Sequence, residues 1–440
     1  MPHGLLTDLY ELTMSAGYAA AGKHRDRATF ELFVRRLPAG RDYLIAAGLE
    51  QAVEYLLGLD FSHDEIEYLR TLPQFAHAPA EFWELLREFR FTGDVWAMPE
   101  GTPAFAGEPL MIVRGPLCEA QIPETYLLAM ISFQTLIASK ASRVAEAAAG
   151  RSTVEFGTRR AHSPEAGTLA ARAAYVGGCA GTSNAEAGYR YGIPVYGTTA
   201  HSWIQSFDTE RESFARLQQL LGEGTVYLID TYDTLEGARR AAALGRPLWG
   251  VRLDSGDLGE LARGVRKILD DAGLADAKIM ASGDLNETKI AALVAAGAPI
   301  DSFGVGTELA ASVDAPALGA VYKLAEIEHA GVKHGVIKLS PGKETYPGPK
   351  QVFRYRDRDV IAAIDECVGC DGAGETPVPL LRPVVRGGRL VEPLPKLAQV
   401  RDSAREQLAQ IPRQWPRRVE YSERLRSAQV EVRGKWAGRG

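Results

Sequence analysis

The chain has 440 residues, 46% hydrophobic and 24% charged, enough to bury a large core and to form two or three domains. A net charge of −6, with no basic tract or basic–aromatic alternation, argues against a nucleic-acid face, so any bound anion is held by local geometry. No apolar stretch is long enough to span a bilayer, the first residues do not read as a signal peptide, and four cysteines suit a reducing setting, so a cytoplasmic location is expected.

Leu5 to Met14 predicts a helix start, with Thr7 and Asp8 as candidate caps and Glu11 in the first turn. Its apolar residues make no single clean face, and Tyr10 is an odd large aromatic, either core or functional. Ala28–Val34 alternates like a half-buried strand, and Tyr43–Leu57 and Ala80–Phe89 read as amphipathic helices. Gly93–Met98 and Pro109–Arg114 read as strands, completing a small α+β domain over residues 1–115. Glu119–Ala149 predicts one long alanine-rich helix, on which Lys140 and Arg143 face either a phosphate or solvent.

From residue 151 short apolar runs alternate with helical patterns. The runs are Ser152–Phe156, Ile193–Tyr196, Thr225–Ile229, Leu248–Leu253, Lys278–Ala281 and Ser302–Val305. Between them lie helices such as Pro164–Val176, Thr209–Leu221, Thr234–Leu244, Leu258–Ala272 and Asn286–Ala296. This alternation predicts a parallel sheet, here an irregular, incomplete TIM-like α/β barrel over residues 116–335. A small C-terminal region, 336–440, is expected to pack partly on the N-terminal domain.

The strand ends carry glycine, hydroxyls and charge: Gly157–Arg160, Gly197–His201, Asp230–Asp233, Arg252–Asp257, Ser282–Glu287 and Gly304–Glu308. In a barrel these ends gather on one face, where active sites are built. Taken singly, an Asp or Ser there reads first as a helix cap, but six polar ends in succession point to a site. His201 suits proton or phosphoryl transfer near neutral pH, although a lone histidine is as readily structural. The small-residue turns at 282–284 and 304–308 can offer backbone N–H groups to a phosphate, or pack tightly. Arg252 and Asp254, two apart, point to one side; they form either a surface salt bridge or a place for a carboxylate and sugar hydroxyls.

Together these stretches resemble the nicotinate phosphoribosyltransferases. The resemblance is carried, in family order, by Thr7–Met14, Glu155–Arg160, Gly197–Ser202, Val251–Leu258, Ser282–Asn286, Phe303–Thr307 and Lys343–Gln351. It implies attack of nicotinate on C1 of phosphoribosyl pyrophosphate, giving nicotinate mononucleotide and pyrophosphate, driven by ATP through a phosphohistidine at His201, with Asp230 as the orienting partner. It implies a pyridine ring between Phe156 and a Tyr10 supplied by the second subunit of a homodimer. By the same match Arg252, Thr198 and Ser183 would meet the nicotinate carboxylate, Arg159 the phosphates and Asp254 the ribose. Ser255 and Gly256 complete that stretch, and Gly283, Asp284, Gly304, Gly306 and Thr307 resemble a 5′-phosphate cradle. Mg2+ on the pyrophosphate is expected, with no ligand set evident.

Related nicotinamide enzymes carry an aspartate in a Gly-Thr-Asp-Thr stretch; here Gly181-Thr-Ser-Asn184 has Ser183 at that place, so the acid is the expected substrate. A rival phosphate-handling barrel enzyme such as an aldolase would want a lysine or glutamate at a strand end, and a non-catalytic binding protein would leave His201 without a role. Past the barrel, Val321–Ile327 and Lys338–Ser340 read as strands, and Cys367-Val-Gly-Cys370 has half a zinc-knuckle spacing but no second pair. Asp402–Tyr421 reads as helical and Val432–Gly440 as a loose tail.

Overall fold

A computed structural model describes residues 4–369, 375–411 and 417–437. The chain forms two compact units. One comprises residues 1–135, 317–396 and 403–440, the other 136–316 and 397–402. These are not the divisions expected at 115/116 and 335/336. The physical reason is strand pairing: Ala320–His329 runs antiparallel to Arg27–Val34 and so belongs with the N-terminal residues.

The first unit is built on a seven-stranded antiparallel sheet. Its order is Val332–Gly335, Ala320–His329, Arg27–Val34, Pro109–Pro116, Asp94–Ala97, Arg382–Arg386 and Arg389–Leu390. Arg27–Val34 lies near its middle and is buried along almost its whole length, not half-buried as its alternation suggested. The predicted helix 43–57 begins only at Leu49, because Leu44–Ile45 pairs with Pro103–Ala104 and Gly48 turns with φ +96°. The predicted helix 119–149 is two, Leu117–Gln121 and Glu124–Ala147, with Pro123 between them. Asp8 caps the first helix, Leu9–Ala20, and its N–H donates to the Glu11 carboxylate at 3.1 Å.

The C-terminal readings also change. Val332–Gly335, not Lys338–Ser340, is the strand after Ala320–His329. The predicted helix 402–421 is a helix, Leu397–Gln410, and a strand, Arg418–Tyr421. The expected tail is helical from Glu423 to Ala437.

The second unit holds a six-stranded, wholly parallel sheet ordered Gly181–Thr182, Ser152–Glu155, Ser302–Val305, Lys278–Ala281, Gly250–Leu253 and Val226–Leu228. Val251, Leu253, Ile279, Ala281, Phe303 and Val305 bury its middle, as strands covered on both faces require. Crossover helices connect the strands, among them Pro164–Val176, Thr234–Leu244, Leu258–Asp271 and Glu287–Ala295. The mixed α/β class is as expected, but the sheet is open rather than a closed barrel. The predicted strand 193–196 contributes a single bridge, Val195 to Thr182. Pro194 has no N–H to extend a ladder, and Val195 and Tyr196 are about half exposed. The Gly181–Thr182 strand was missed, since two residues make no apolar run. Among the described residues no helix is long and apolar enough to cross a membrane.

Candidate active site

The parallel strands all point their C-terminal ends the same way, so the turns that follow them collect at one end of the sheet. Some polar residues there are caps and nothing more. Asn184, Asp233, Asp257 and Asn286 each accept hydrogen bonds from the first turn of the helix that follows. Of the others, Thr198, Asp254 and Ser282 converge on Arg252.

Arg252 leaves the Gly250–Leu253 strand with its side chain only 12% exposed, so the pair it forms with Asp254 is not a surface salt bridge. Its Nη2 donates to Asp254 Oδ1 at 2.7 Å, its Nε to Ser282 Oγ at 2.8 Å and its Nη1 to Thr198 Oγ1 at 2.7 Å. The guanidinium carbon lies 5.7 Å from the centroid of the Phe156 ring. Ser282 also donates to Asp254. Burial raises the Asp254 carboxyl, but the hydrogen bonds from Ser282 and Arg252 outweigh it and hold the group below its ordinary range. Asp254 is therefore an anion ready to accept from hydroxyls. Ser282 is a site residue that its sequence position alone does not mark, apart from being the hydroxyl that opens a small-residue turn.

His201 opens the short helix His201–Gln205. Its Nδ1 lies 3.1 Å from Thr231 Oγ1, so the ring's hydrogen-bond partner is Thr231 and not Asp230. Asp230 is engaged otherwise: its Oδ2 accepts from the Asp254 N–H at 3.0 Å and from Ser255 Oγ at 2.6 Å. Asp230 Oδ1 is buried without a hydrogen-bond partner. The side chain of Asp230 thus fixes the 254–255 turn, which a sequence reading could not separate from contact with an imidazole one turn away.

On the other side of the sheet Glu155 is fully buried. It accepts from the Gly157 N–H and from Thr182 Oγ1, the latter at 2.6 Å, tying two strand ends together. Burial pushes its carboxyl above the usual range, against those two bonds. Phe156 follows it and packs on Gly304, where an added Cβ would stand 2.5 Å from the ring. The missing side chain at Gly304 therefore makes room for Phe156. Gly283, at φ +91°, lies against Asp254, whose carbonyl oxygen an added Cβ would meet at 1.9 Å. Gly256 and Asp284 also have positive φ, and Gly306 precedes the helix Thr307–Ala310. Ser183 and Arg159 are exposed at the same strand ends.

Tyr10 belongs to the first unit, where it is 45% exposed near Glu11 and Glu124. Cys118 and Cys179 are free, buried thiols, each pushed up to about 12 by burial. Cys367 is disulfide-bonded; Cys370 lies outside the described residues. No group of three or more His, Cys, Asp or Glu side chains is placed to hold a metal among the described residues.

A planar cation over an aromatic face, a hydroxyl at its edge, an ionised carboxylate and an imidazole can together hold a flat acid beside a sugar and carry a phosphoryl group. The comparisons with known proteins bear on the family. Residues 5–132 match the nicotinate phosphoribosyltransferase N-terminal domain, and residues 152–346 match the nicotinate phosphoribosyltransferase family. The nicotinate phosphoribosyltransferase pncB2 of Mycobacterium tuberculosis is 46% identical over 418 residues, 93% of this chain and 87% of that protein. The nicotinate phosphoribosyltransferase of Bacillus subtilis is 44% identical over 380 residues, 83% of this chain and 77% of that protein. The crystal structure of human nicotinic acid phosphoribosyltransferase superposes with a TM-score of 0.84 at 31% identity, covering 97% of this chain and all of that one. On these matches the chain belongs to the nicotinate phosphoribosyltransferase family.

Proposed function

We propose that the chain joins nicotinate to the ribosyl C1 of phosphoribosyl pyrophosphate, giving nicotinate mononucleotide and pyrophosphate, with ATP hydrolysed through phosphorylation of His201. The observation that carries the reading is the position of Arg252, its guanidinium 5.7 Å from the Phe156 ring centroid and its Nη1 donating to Thr198 at 2.7 Å. That geometry suits a flat ring bearing a carboxylate: Phe156 stacks the pyridine while Arg252, Thr198 and Ser183 meet the acid.

At C1 the bond to pyrophosphate breaks as the pyridine nitrogen supplies its lone pair, through an oxocarbenium-like transition state. The protein's work is then to align the nitrogen with C1 and to steady the departing charge. Asp254, kept ionised, accepts from ribose hydroxyls. Arg159 meets the phosphates, and the turns holding Gly283, Asp284, Gly304, Gly306 and Thr307 receive the 5′-phosphate through backbone N–H groups. Asp230 acts through Ser255 and the 254–256 turn. Magnesium spreads the leaving-group charge when it accompanies pyrophosphate. The described side chains form no cage for it, and no step here runs through it.

The reading also includes a cytoplasmic homodimer in which Tyr10 of one copy covers the pyridine bound by the other. Leu6, just before the first helix, and Leu9, Tyr10 and Met14 on it are apolar side chains at least 37% exposed, which suits a second copy of the chain. The test is formation of nicotinate mononucleotide with and without ATP, with acid-labile phosphate sought on the protein. ATP-stimulated product and label lost in His201→Ala are expected; ATP-indifferent turnover without label would refute the phosphohistidine.

A further inference from the structure

The sequence leaves Lys140 facing either a phosphate or solvent, yet its side chain is 2% exposed. Its Nζ lies 2.7 Å from Glu287 Oε2, 2.9 Å from Asp314 Oδ1 and 3.8 Å from Glu308 Oε2. Arg143, one turn along the same helix, reaches the same two flanking carboxylates, Glu287 at 3.2 Å and Asp314 at 3.6 Å. Three acids thus share two cations, and the buried cation among them is Lys140.

The acids have a telling address. Glu287 is the first residue of the helix after the Ser282–Asn286 turn, and Glu308 is the second residue of the helix after the Gly304–Gly306 turn. The two turns follow neighbouring strands, paired Met280 to Ser302 and Ala281 to Phe303. Lys140 therefore ties together, from beneath, the first turns of two helices whose upper ends are the small-residue loops. Those loops have few side chains to hold their shape, and a cradle of backbone N–H groups works only if both halves keep their spacing.

We propose that Lys140 is a positioning residue: by bridging Glu287, Glu308 and Asp314 it sets the spacing of the 282–286 and 304–307 turns, and so the affinity for the 5′-phosphate of the sugar substrate. This rests on the reading of those turns as the phosphate cradle. Without Lys140, Glu287 and Asp314 lose their nearer cation and keep Arg143 at 3.2 and 3.6 Å, and Glu308 loses the Nζ that lies 3.8 Å away, so the three like charges are less well offset.

The experiment is steady-state kinetics of Lys140→Met and Lys140→Arg, with ribose 5-phosphate binding by calorimetry. The expected result for Lys140→Met is a KM for phosphoribosyl pyrophosphate and a Kd for ribose 5-phosphate raised on the order of tenfold, as a small misplacement of a positioning group produces. The KM for nicotinate should stay within about twofold, and Lys140→Arg should recover part of the loss. A folded Lys140→Met with an unchanged phosphoribosyl pyrophosphate KM overturns the proposal. If Lys140→Met does not fold, Lys140→Met/Glu287→Gln removes opposite charges together, and unchanged sugar-phosphate KM in that variant overturns it as well. Thr307→Ala separates the two readings: wild-type ribose 5-phosphate affinity there sinks the cradle itself, whatever Lys140 does.

Discussion

His201 and Thr231 meet across the mouth of the parallel sheet, ring Nδ1 to hydroxyl, at 3.1 Å. An imidazole held at one nitrogen presents the other in a fixed direction, which is what a phosphoryl acceptor needs. Thr231→Val should lower ATP-coupled turnover about tenfold to a hundredfold, as loss of the orienting partner of a working histidine does. ATP-independent product formation should fall less, and Thr231→Ser should recover most of the loss. Equal ATP hydrolysis by Thr231→Val and wild type, measured as phosphate release, would refute this role.

Ser183 stands at an exposed strand end whose backbone N–H donates to the carbonyl of Glu155 at 2.9 Å. An aspartate there would set a second negative charge against the nicotinate carboxylate. Ser183→Asp should cost nicotinate on the order of several kcal/mol of discrimination relative to nicotinamide. Paired kcat/KM values for acid and amide read this directly; an unchanged ratio would remove Ser183 from the carboxylate site.

Gly283 combines φ +91° with a Cα packed on the Asp254 carbonyl. Gly283→Ala must relieve both a left-handed backbone and a contact with main chain, so it should destabilise by more than about 2 kcal/mol. It should also disturb Asp254. A thermal melt and the phosphoribosyl pyrophosphate KM test both, and a variant that melts and turns over like wild type would contradict the geometry.

Glu11 is fully buried and accepts from the Thr125 N–H and hydroxyl and from the Asp8 N–H. Burial raises its carboxyl to about 7, the Thr125 bond opposes the rise, and Glu124 adds to it. The folded chain therefore holds a proton that the unfolded chain, titrating near 4.5, has already released. This contribution to stability is full below pH 4.5, declines as pH rises to about 7 and is flat above. Glu11→Gln cannot lose that proton. Its melting temperature relative to wild type should rise by a few degrees between pH 4.5 and 8. An identical difference at both pH values would show that folding does not raise the Glu11 carboxyl.

Much of the second unit was legible because its signal is local. Pro164–Val176, Thr234–Leu244, Lys278–Ala281 and Ser302–Val305 fall where apolar period and cap residues put them. What escaped depends on distant partners. Gly181–Thr182 is a strand only because Ser152–Glu155 lies beside it, and the helix expected from Tyr43 gives way to pairing with residues 103–104. The same holds in the site. Arg252 and Asp254 advertised themselves by spacing, whereas Thr231, Ser282 and buried Lys140 acquire meaning only from side chains that the fold brings from 30 or more residues away.

The open edge of the parallel sheet has a mechanical consequence. Backbone ladders join the neighbouring strands of this sheet, but the segment after Val195 is held to them by side chains: Thr198 Oγ1 accepts from Arg252 at 2.7 Å, and His201 Nδ1 lies 3.1 Å from Thr231 Oγ1. One of these fastenings is the ring that receives the phosphoryl group in the proposed reaction. Chemistry at His201 would then act on one of the contacts that hold this segment in place, so that reaction and local fastening share a single side chain.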